Sequence, residues 1–199
     1  MNLNFLIDDI VEELNSFDEK KEFVIKEDRK IRRISGTGIS NLIKNKEIQP
    51  HLDKLASIVP TVITEMQYLS HVTSWNIVSQ GLEEYTEFII LNDIIKGNSI
   101  TSADFLGIPK WIWLLGLCDV PGELRRIILS LIIEGKIDDA KRFYQWIEEI
   151  YENLSGLEFS KSLIPNLRRK IDVLRMVMDK TQSDIAHAII NERLKGDNK

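Results

Sequence analysis

Apolar side chains recur at helical spacing along the whole chain. The first such face is marked by Leu3, Leu6, Ile10, Leu14 and Phe17, which lie three or four residues apart, as one side of an α-helix requires. No segment shows the alternating pattern of a strand, and no internal repeat or low-complexity linker divides the sequence. The pattern predicts an all-α protein in which residues 1–199 form a single helical domain.

Proline and glycine set the predicted helix ends. The first helix continues as a charged helix through residues 18–45, although Gly36 and Gly38 each weaken it by about 1 kcal/mol relative to alanine. The bundle of about seven helices further comprises residues 48–68, 73–96, 109–134, 137–154 and 162–194, with a short turn at 101–107. Pro60 is expected to kink or split the second helix. The segment 109–134 is apolar on nearly every face, which predicts the central helix.

Composition is that of a folded, soluble protein, with 43% hydrophobic and 29% charged residues. Cys118 is the one cysteine; it excludes an internal disulfide, and its apolar neighbours predict a buried thiol. Acidic residues interrupt the first apolar positions, so we expect a cytoplasmic protein with neither signal peptide nor membrane partner. The net charge of −5 weakens the case for nucleic-acid binding without excluding it, because charge can be arranged locally.

Carboxylates are the strongest candidates for chemistry. Glu84 and Glu87 are three residues apart, and Asp119 and Glu123 are four apart, so each pair shares one face of its helix. Glu83 is four residues from Glu87 and is an equally good neighbour. Two helices that each present such a pair inward are a common way to build an oxygen-rich site for hard cations.

A purely structural interpretation of these carboxylates stays open. Arg126 follows Glu123 by three residues, so Asp119, Glu123 and Arg126 could form an ion ladder, and the glutamates of the other helix could be a solvated face. Two observations favour a site. Asp119 and Glu123 interrupt an otherwise apolar helix, and Pro121 between them removes a helical hydrogen bond to the Leu117 carbonyl.

A basic cluster lies in the first helix. Arg29, Lys30, Arg32 and Arg33 place four cations within five residues. On a helix the three arginines share a face, and Lys30 lies about a quarter-turn away. The nearby acidic residues allow a solvated, self-balanced helix, whereas the arginine forks would suit phosphate oxygens. The residues alone favour neither interpretation.

Two motifs show a family resemblance. The segment Gly116–Arg126, GLCDVPGELRR, resembles the central motif of the translin and Trax family, approximately G-V-A-D-L-T-G-E-L-M-R. Upstream, GLEEYTE at residues 81–87 is similar to the Trax stretch G-L-Q-E-Y-V-E. The segments 135–137 and 159–161 are similar to later helix boundaries of the family, so the resemblance covers most of the chain from about residue 18. Pro121 and Glu83 depart from Trax, which has threonine and glutamine there, and the spacing lacks the insert of animal Trax.

The resemblance implies an activity. Trax is the catalytic, magnesium-dependent ribonuclease of the family, and its acidic residues fall on Glu84, Glu87 and Asp119, with Glu123 beside them. Translin, the nucleic-acid-binding paralogue, lacks the two upstream glutamates, so the chain is most similar to a Trax-like branch of prokaryotic, archaeal type. We therefore expect an endoribonuclease that cleaves single-stranded RNA by metal-activated water. Mg²⁺ or Mn²⁺ would be held by Glu84, Glu87 and Asp119, with Glu123 as a further ligand or supporting group oriented by Arg126.

Assembly and partners are also implied. The family forms a hollow octamer with RNA inside, which implies a homo-octamer here and favours phosphate contact by Arg29, Lys30, Arg32 and Arg33. Single-stranded DNA is a second candidate ligand. One competing function is a non-catalytic scaffold of the translin type that binds single-stranded RNA or DNA. Another is a bundle metalloprotein acting on metal or oxygen, but its usual Glu-x-x-His pairs are absent from the sequence.

Overall fold

The computed structural model describes residues 3–196 and confirms the all-helical prediction. The helices are α1 (Leu3–Ile43), α2 (Gln49–Leu69), α3 (Ser79–Lys96), α4 (Ala103–Leu106), α5 (Lys110–Ile133), α6 (Ile137–Leu154) and α7 (Leu167–Gly196), with a 3₁₀ turn at Trp75–Ile77. This described part of the chain contains no strand. None of its helices is both long and apolar enough to cross a membrane.

The order of packing makes α5 the central helix, as its apolar sequence predicts. Helix α1 packs against both α2 and α3, and α3 also packs against α5. Helices α6 and α7 both contact α5 and each other. Fully buried side chains such as Leu82, Phe88, Leu115 and Leu124 fill the space between these helices, and their removal from water is the main stabilising contribution.

Two helix starts differ from those that the sequence predicts. The pattern predicts a third helix from residue 73, but it begins at Ser79, because the preceding residues form a separate 3₁₀ turn in which the Ser74 hydroxyl accepts a hydrogen bond from the Asn76 amide. The pattern predicts the last helix from residue 162, but it begins at Leu167. Pro165 lacks an amide donor, and Asn166 has the positive φ of 66° that ends regular helical geometry before α7.

Pro60 does not split α2, which is continuous from Gln49 to Leu69. Proline removes one helical hydrogen bond, but its side chain is exposed and the opposite side of the helix is firmly packed. The side chains of Leu55, Val59, Val62 and Met66 are buried there. Their burial offsets the cost of the missing bond, which the local sequence rule does not include.

Two glycines allow α3 to pack closely against α1 and α5. A Cβ atom at Gly38 of α1 would lie 2.6 Å from the Phe88 ring. A Cβ atom at Gly116 of α5 would lie 2.7 Å from the backbone oxygen of Glu83. Only glycine avoids these overlaps, so the residue that weakens α1 as an isolated helix is the one that lets it pack in the bundle.

The first turns of α1 expose the apolar face that opens the sequence. Every described residue from Leu3 to Ser16 is exposed. Six large apolar side chains on one side of this segment are between 37% and 68% exposed, namely Leu3, Leu6, Ile7, Ile10, Val11 and Leu14. A continuous apolar stripe of this kind is characteristic of a surface that packs against another molecule.

Candidate functional site

The facing sides of α3 and α5 bring the four predicted carboxylates into one electrostatic cluster. Glu84 and Glu87 lie on α3, and Asp119 and Glu123 lie on α5. The charges of Asp119, Glu123 and Glu84 all act on Glu87 and raise its pKa. The tertiary structure therefore unites the two pairs that the sequence presents separately. We call Glu83, Glu84, Glu87, Asp119 and Glu123 the carboxylate cluster.

Glu87 is the member of the carboxylate cluster that forms no ion pair within the described part of the chain. Its residue is 9% exposed, and it forms no ion pair with any residue in the range 3–196. Burial, followed by the neighbouring charges of Asp119, Glu123 and Glu84, raises the pKa of Glu87 to about 9, and the positive charge of Lys170 only partly opposes this. A buried carboxyl group with this environment takes up a proton at neutral pH unless a cation joins it.

Lys170 of α7 supplies a cation that sequence reasoning did not identify. Its Nζ donates to Glu83 Oε2 at 2.9 Å, to the Leu115 carbonyl at 3.2 Å and to Asp119 Oδ2. All three ammonium protons thus have acceptors, and the side chain is only 12% exposed. A signal was present, because Lys170 lies three residues after Leu167 and four before Leu174, both buried in α7. That spacing puts the lysine on the buried face.

Lys170 remains charged in this environment. Burial lowers the pKa of Lys170, but the hydrogen bonds and negative charges of Asp119 and Glu83 outweigh burial and raise the pKa above its usual value. The ammonium group therefore joins α3, α5 and α7 at one point and neutralises part of the carboxylate cluster.

The remaining cluster carboxylates have arginine partners. Arg126 Nη1 lies 2.6 Å from Glu123 Oε2, so the predicted pair within α5 is present. The longer ion ladder is not formed, because Asp119 binds Lys170. Arg32 Nε lies 3.5 Å from Glu84 Oε1. Burial raises the pKa of Glu84, although the Arg32 charge opposes the increase.

The donor set suits a hard divalent cation, although the described residues contain no group of three or more His, Cys, Asp or Glu side chains arranged to hold a metal ion. Glu84, Asp119 and Glu123 each contact a basic side chain instead. Carboxylate oxygens are the ligands that Mg²⁺ and Mn²⁺ prefer. The buried, unpaired Glu87 would regain its charge beside such an ion, so the cluster fits one in chemistry and charge.

A basic groove lies beside the carboxylate cluster. Arg29, Arg32 and Arg33 line this open groove of about 590 Å³ together with Gly36, Thr37, Ser40 and Glu84. The shared face of the three arginines is as predicted. Lys30 does not line the groove, because its Nζ lies 2.6 Å from Glu27 Oε1. The predicted basic cluster therefore contributes three cations to this surface rather than four.

Asp28 is a second polar group that sequence reasoning missed. Its Oδ1 accepts a hydrogen bond from the Gly81 amide at 2.9 Å and so joins α1 to the first turn of α3. Burial, more than any opposing interaction, raises the pKa of Asp28 to about 6. Its position between the buried Val24 and Ile31 was the available signal, because that spacing places Asp28 on the inner face of α1.

Cys118 and the histidines take no part in this cluster's ion pairs. Cys118 is buried, and burial raises the pKa of its thiol to about 12, which agrees with the predicted inert state. His71 packs edge-on against Phe17 and Tyr68 at the other side of α1.

Comparison with known proteins supports the relationship that the motifs indicate. No family model matches the chain. An uncharacterized protein of Methanocaldococcus jannaschii is 29% identical over 196 residues, which are 97% of this chain and 85% of that protein.

Solved structures match along nearly the whole chain. Apo-NeC3PO has a TM-score of 0.83 and 28% identity, over 94% of this chain and 98% of its own. AfC3PO has a TM-score of 0.84 and 26% identity, over 93% and 97% of the two chains. The AfC3PO–duplex RNA complex matches with a TM-score of 0.82 at 24% identity, over 93% and 97% of the two chains. The common fold, the sequence identity along nearly the full length and the motifs on α3 and α5 make this chain similar to the C3PO structures and support the resemblance to the translin/Trax family.

Proposed function

We propose that this protein is a metal-dependent endoribonuclease that cleaves single-stranded RNA. The observation that carries the proposal is the position of Glu84, which lines the basic groove and also belongs to the carboxylate cluster. A backbone held in the groove would therefore pass directly beside the carboxylates. AfC3PO, a structural neighbour, forms a complex with duplex RNA, which supports RNA as the ligand class.

The chain's own residues divide into two tasks. Glu84, Glu87 and Asp119 would hold Mg²⁺ or Mn²⁺, and Glu123 supports them from the next turn of α5 with Arg126 bound to it. A bound ion of this kind lowers the pKa of water and neutralises charge that develops on phosphate. Arg29, Arg32 and Arg33 would bind phosphate oxygens through their planar forks. Arg32 connects the groove to the proposed metal ligands, because it lines the groove and contacts Glu84.

Incubation with labelled RNA tests the proposal. Purified protein is given single-stranded and duplex RNA with Mg²⁺, with Mn²⁺ and with a chelator. We expect cleavage of the single strand only when the metal is present. RNA binding without cleavage in any metal would instead favour the non-catalytic scaffold, the competing function for this fold.

Phosphate binding by the groove predicts a particular salt dependence. Replacing Arg29, Arg32 and Arg33 by glutamine is expected to make the plot of log affinity against log salt shallower by about 0.7 for each phosphate that is no longer neutralised. Affinity should fall similarly for unrelated sequences, because phosphate contacts carry no base information. The measurement is a titration of single-stranded RNA at several salt concentrations in a Glu87→Gln background.

Lys30→Gln is the matched control for this titration. It removes a cation from the same helix, but one bound to Glu27 rather than lining the groove. The slope of log affinity against log salt for Lys30→Gln should stay at the wild-type value. An unchanged slope in the triple variant would show that these arginines are a solvated face and that RNA binds elsewhere.

We further propose that several copies assemble, with a homo-octamer as the expected state. The exposed stripe at the start of α1 offers an apolar surface for contact with a second copy. Light scattering should give a mass several times 23.0 kDa. Leu6→Glu combined with Ile10→Glu should reduce that mass, because charges cannot be buried unpaired in an apolar interface.

The opposite face of the same segment provides the control for assembly. Asp9→Asn combined with Glu12→Gln alters exposed polar residues and should leave the mass unchanged. A wild-type monomer at micromolar concentration would contradict the assembly proposal.

A further inference from the structure

Lys170 occupies a position in the carboxylate cluster that bears on the number of metal ions. We infer that the Lys170 ammonium group serves as the cluster's permanent second cation, so that the cluster binds one divalent ion per chain and not two. The inference deepens the proposed function, since it concerns the same metal site. It rests on the contacts of Lys170, the charge balance around it and the burial of Glu87.

The contacts of Lys170 are those that a coordinated cation would make. Its three donors are directed to Glu83, to Asp119 and to the Leu115 carbonyl, which are all oxygen acceptors. These acceptors come from two different helices, α3 and α5, and the ammonium group lies between them. A second divalent ion at this position would need the same oxygens.

Asp119 limits the number of metal ions that the carboxylate cluster can bind. Paired metal ions lie about 3.5–4 Å apart in two-metal sites, and a carboxylate that gives one oxygen to each ion needs both oxygens free. Lys170 binds Asp119 Oδ2, which leaves Oδ1 as the oxygen available to an ion. Asp119 is therefore placed to bind one metal ion through Oδ1, and it cannot give one oxygen to each of two ions while Lys170 stays bound.

The charge balance of the carboxylate cluster also predicts one divalent ion. The five carboxylates of the cluster face three cations, Lys170, Arg32 and Arg126. Two negative charges remain when every group is ionised, and one divalent ion balances them. Glu87 is nine-tenths buried, has no counterion among the described residues and is exposed to the fields of three neighbouring carboxylates. It is therefore the side chain that most needs that ion.

Counting bound ions tests the inference without RNA or turnover. The full-length protein is freed of metal with a chelator and titrated with Mn²⁺, and free Mn²⁺ is measured by electron paramagnetic resonance. The wild type is expected to saturate at one ion per chain. Saturation at two ions, or no binding at all, would overturn the inference.

Variants of Lys170 test whether its charge is the cause. Lys170→Met keeps the apolar stem but removes the charge, so the first ion should bind about tenfold more tightly or better. Lys170→Arg keeps the charge and should stay within about threefold of the wild type on the same electrostatic grounds. An equal affinity in Lys170→Met and the wild type would contradict a cationic role.

A variant of Glu83 tests the same charge argument even if Lys170→Met fails to fold. Glu83→Gln lowers the negative charge of the cluster by one while Lys170 keeps its bond to Asp119, so Mn²⁺ should bind about tenfold more weakly. An unchanged affinity would overturn the charge argument.

RNA cleavage in the same preparations separates this inference from the nuclease proposal. One bound ion without cleavage leaves the inference standing and removes the nuclease. Cleavage with two bound ions would overturn the inference and support the nuclease proposal.

Discussion

Glu87→Gln is expected to lower metal-dependent RNA cleavage by about 100-fold or more, because it removes a charged oxygen ligand from the metal site. The variant should fold as stably as the wild type when metal is absent. Glu87 forms no ion pair among the described residues, and burial and three nearby carboxylates raise its pKa to about 9, so without metal glutamine replaces a neutral carboxyl group of similar shape and leaves no partner unsatisfied. Cleavage rate with Mg²⁺ and urea unfolding in chelator measure the two effects.

The other two proposed ligands are expected to lose cleavage as well, but at different structural cost. Glu84→Gln removes a half-exposed partner of Arg32 and should leave stability nearly unchanged. Asp119→Asn removes one anionic partner of Lys170, which keeps Glu83, so this variant should also be less stable by about 1.5–2 kcal/mol, the loss of a hydrogen bond to a charged group. Asp104→Asn changes an exposed carboxylate of α4 and serves as the control. Cleavage at the wild-type rate in all three ligand variants would refute the site.

Gly116→Ala is expected to destabilise the protein by about 1–3 kcal/mol through overpacking. The added Cβ would lie 2.7 Å from the Glu83 backbone oxygen and 2.7 Å from Thr86 Cβ. A backbone atom cannot rotate away as the end of a flexible side chain can, so α3 and α5 must separate. Because these helices carry the two halves of the carboxylate cluster, cleavage should fall together with stability.

Gly122→Ala is the matched control in the same helix. A Cβ atom at Gly122 meets nothing within 4 Å, so alanine's better helix propensity should stabilise the protein by about 0.5–1 kcal/mol. Urea unfolding of both variants measures the contrast. Equal stability of Gly116→Ala and the wild type would show that α3 and α5 can move apart freely.

The helical fold could be predicted because its signals are local. Apolar spacing along α6 predicted the observed range Ile137–Leu154, and the apolar sequence of α5 predicted its central place. Features that depend on packing were harder to predict from the sequence. Pro60 lies inside a continuous α2 because the buried face holds the helix together, and α7 begins at Leu167 because Pro165 and Asn166 form a turn first.

The candidate site was predictable only in part, for the same reason. The sequence by itself determined that Glu84 and Glu87 share one helix face and that Asp119 and Glu123 share another, since residues three or four apart are neighbours on any α-helix. It likewise determined that Arg29, Arg32 and Arg33 point together. These are properties of one helix and need no knowledge of its neighbours.

Only the tertiary structure decided how those faces meet. It brought α3 and α5 into contact through Gly116 and placed Lys170, 51 residues beyond Asp119, against both carboxylate helices. Helix periodicity cannot foresee a contact across that separation, because it depends on how three helices pack around a shared core. The charge of Glu87 was decided there too, since burial and neighbouring charges exist only in the folded chain.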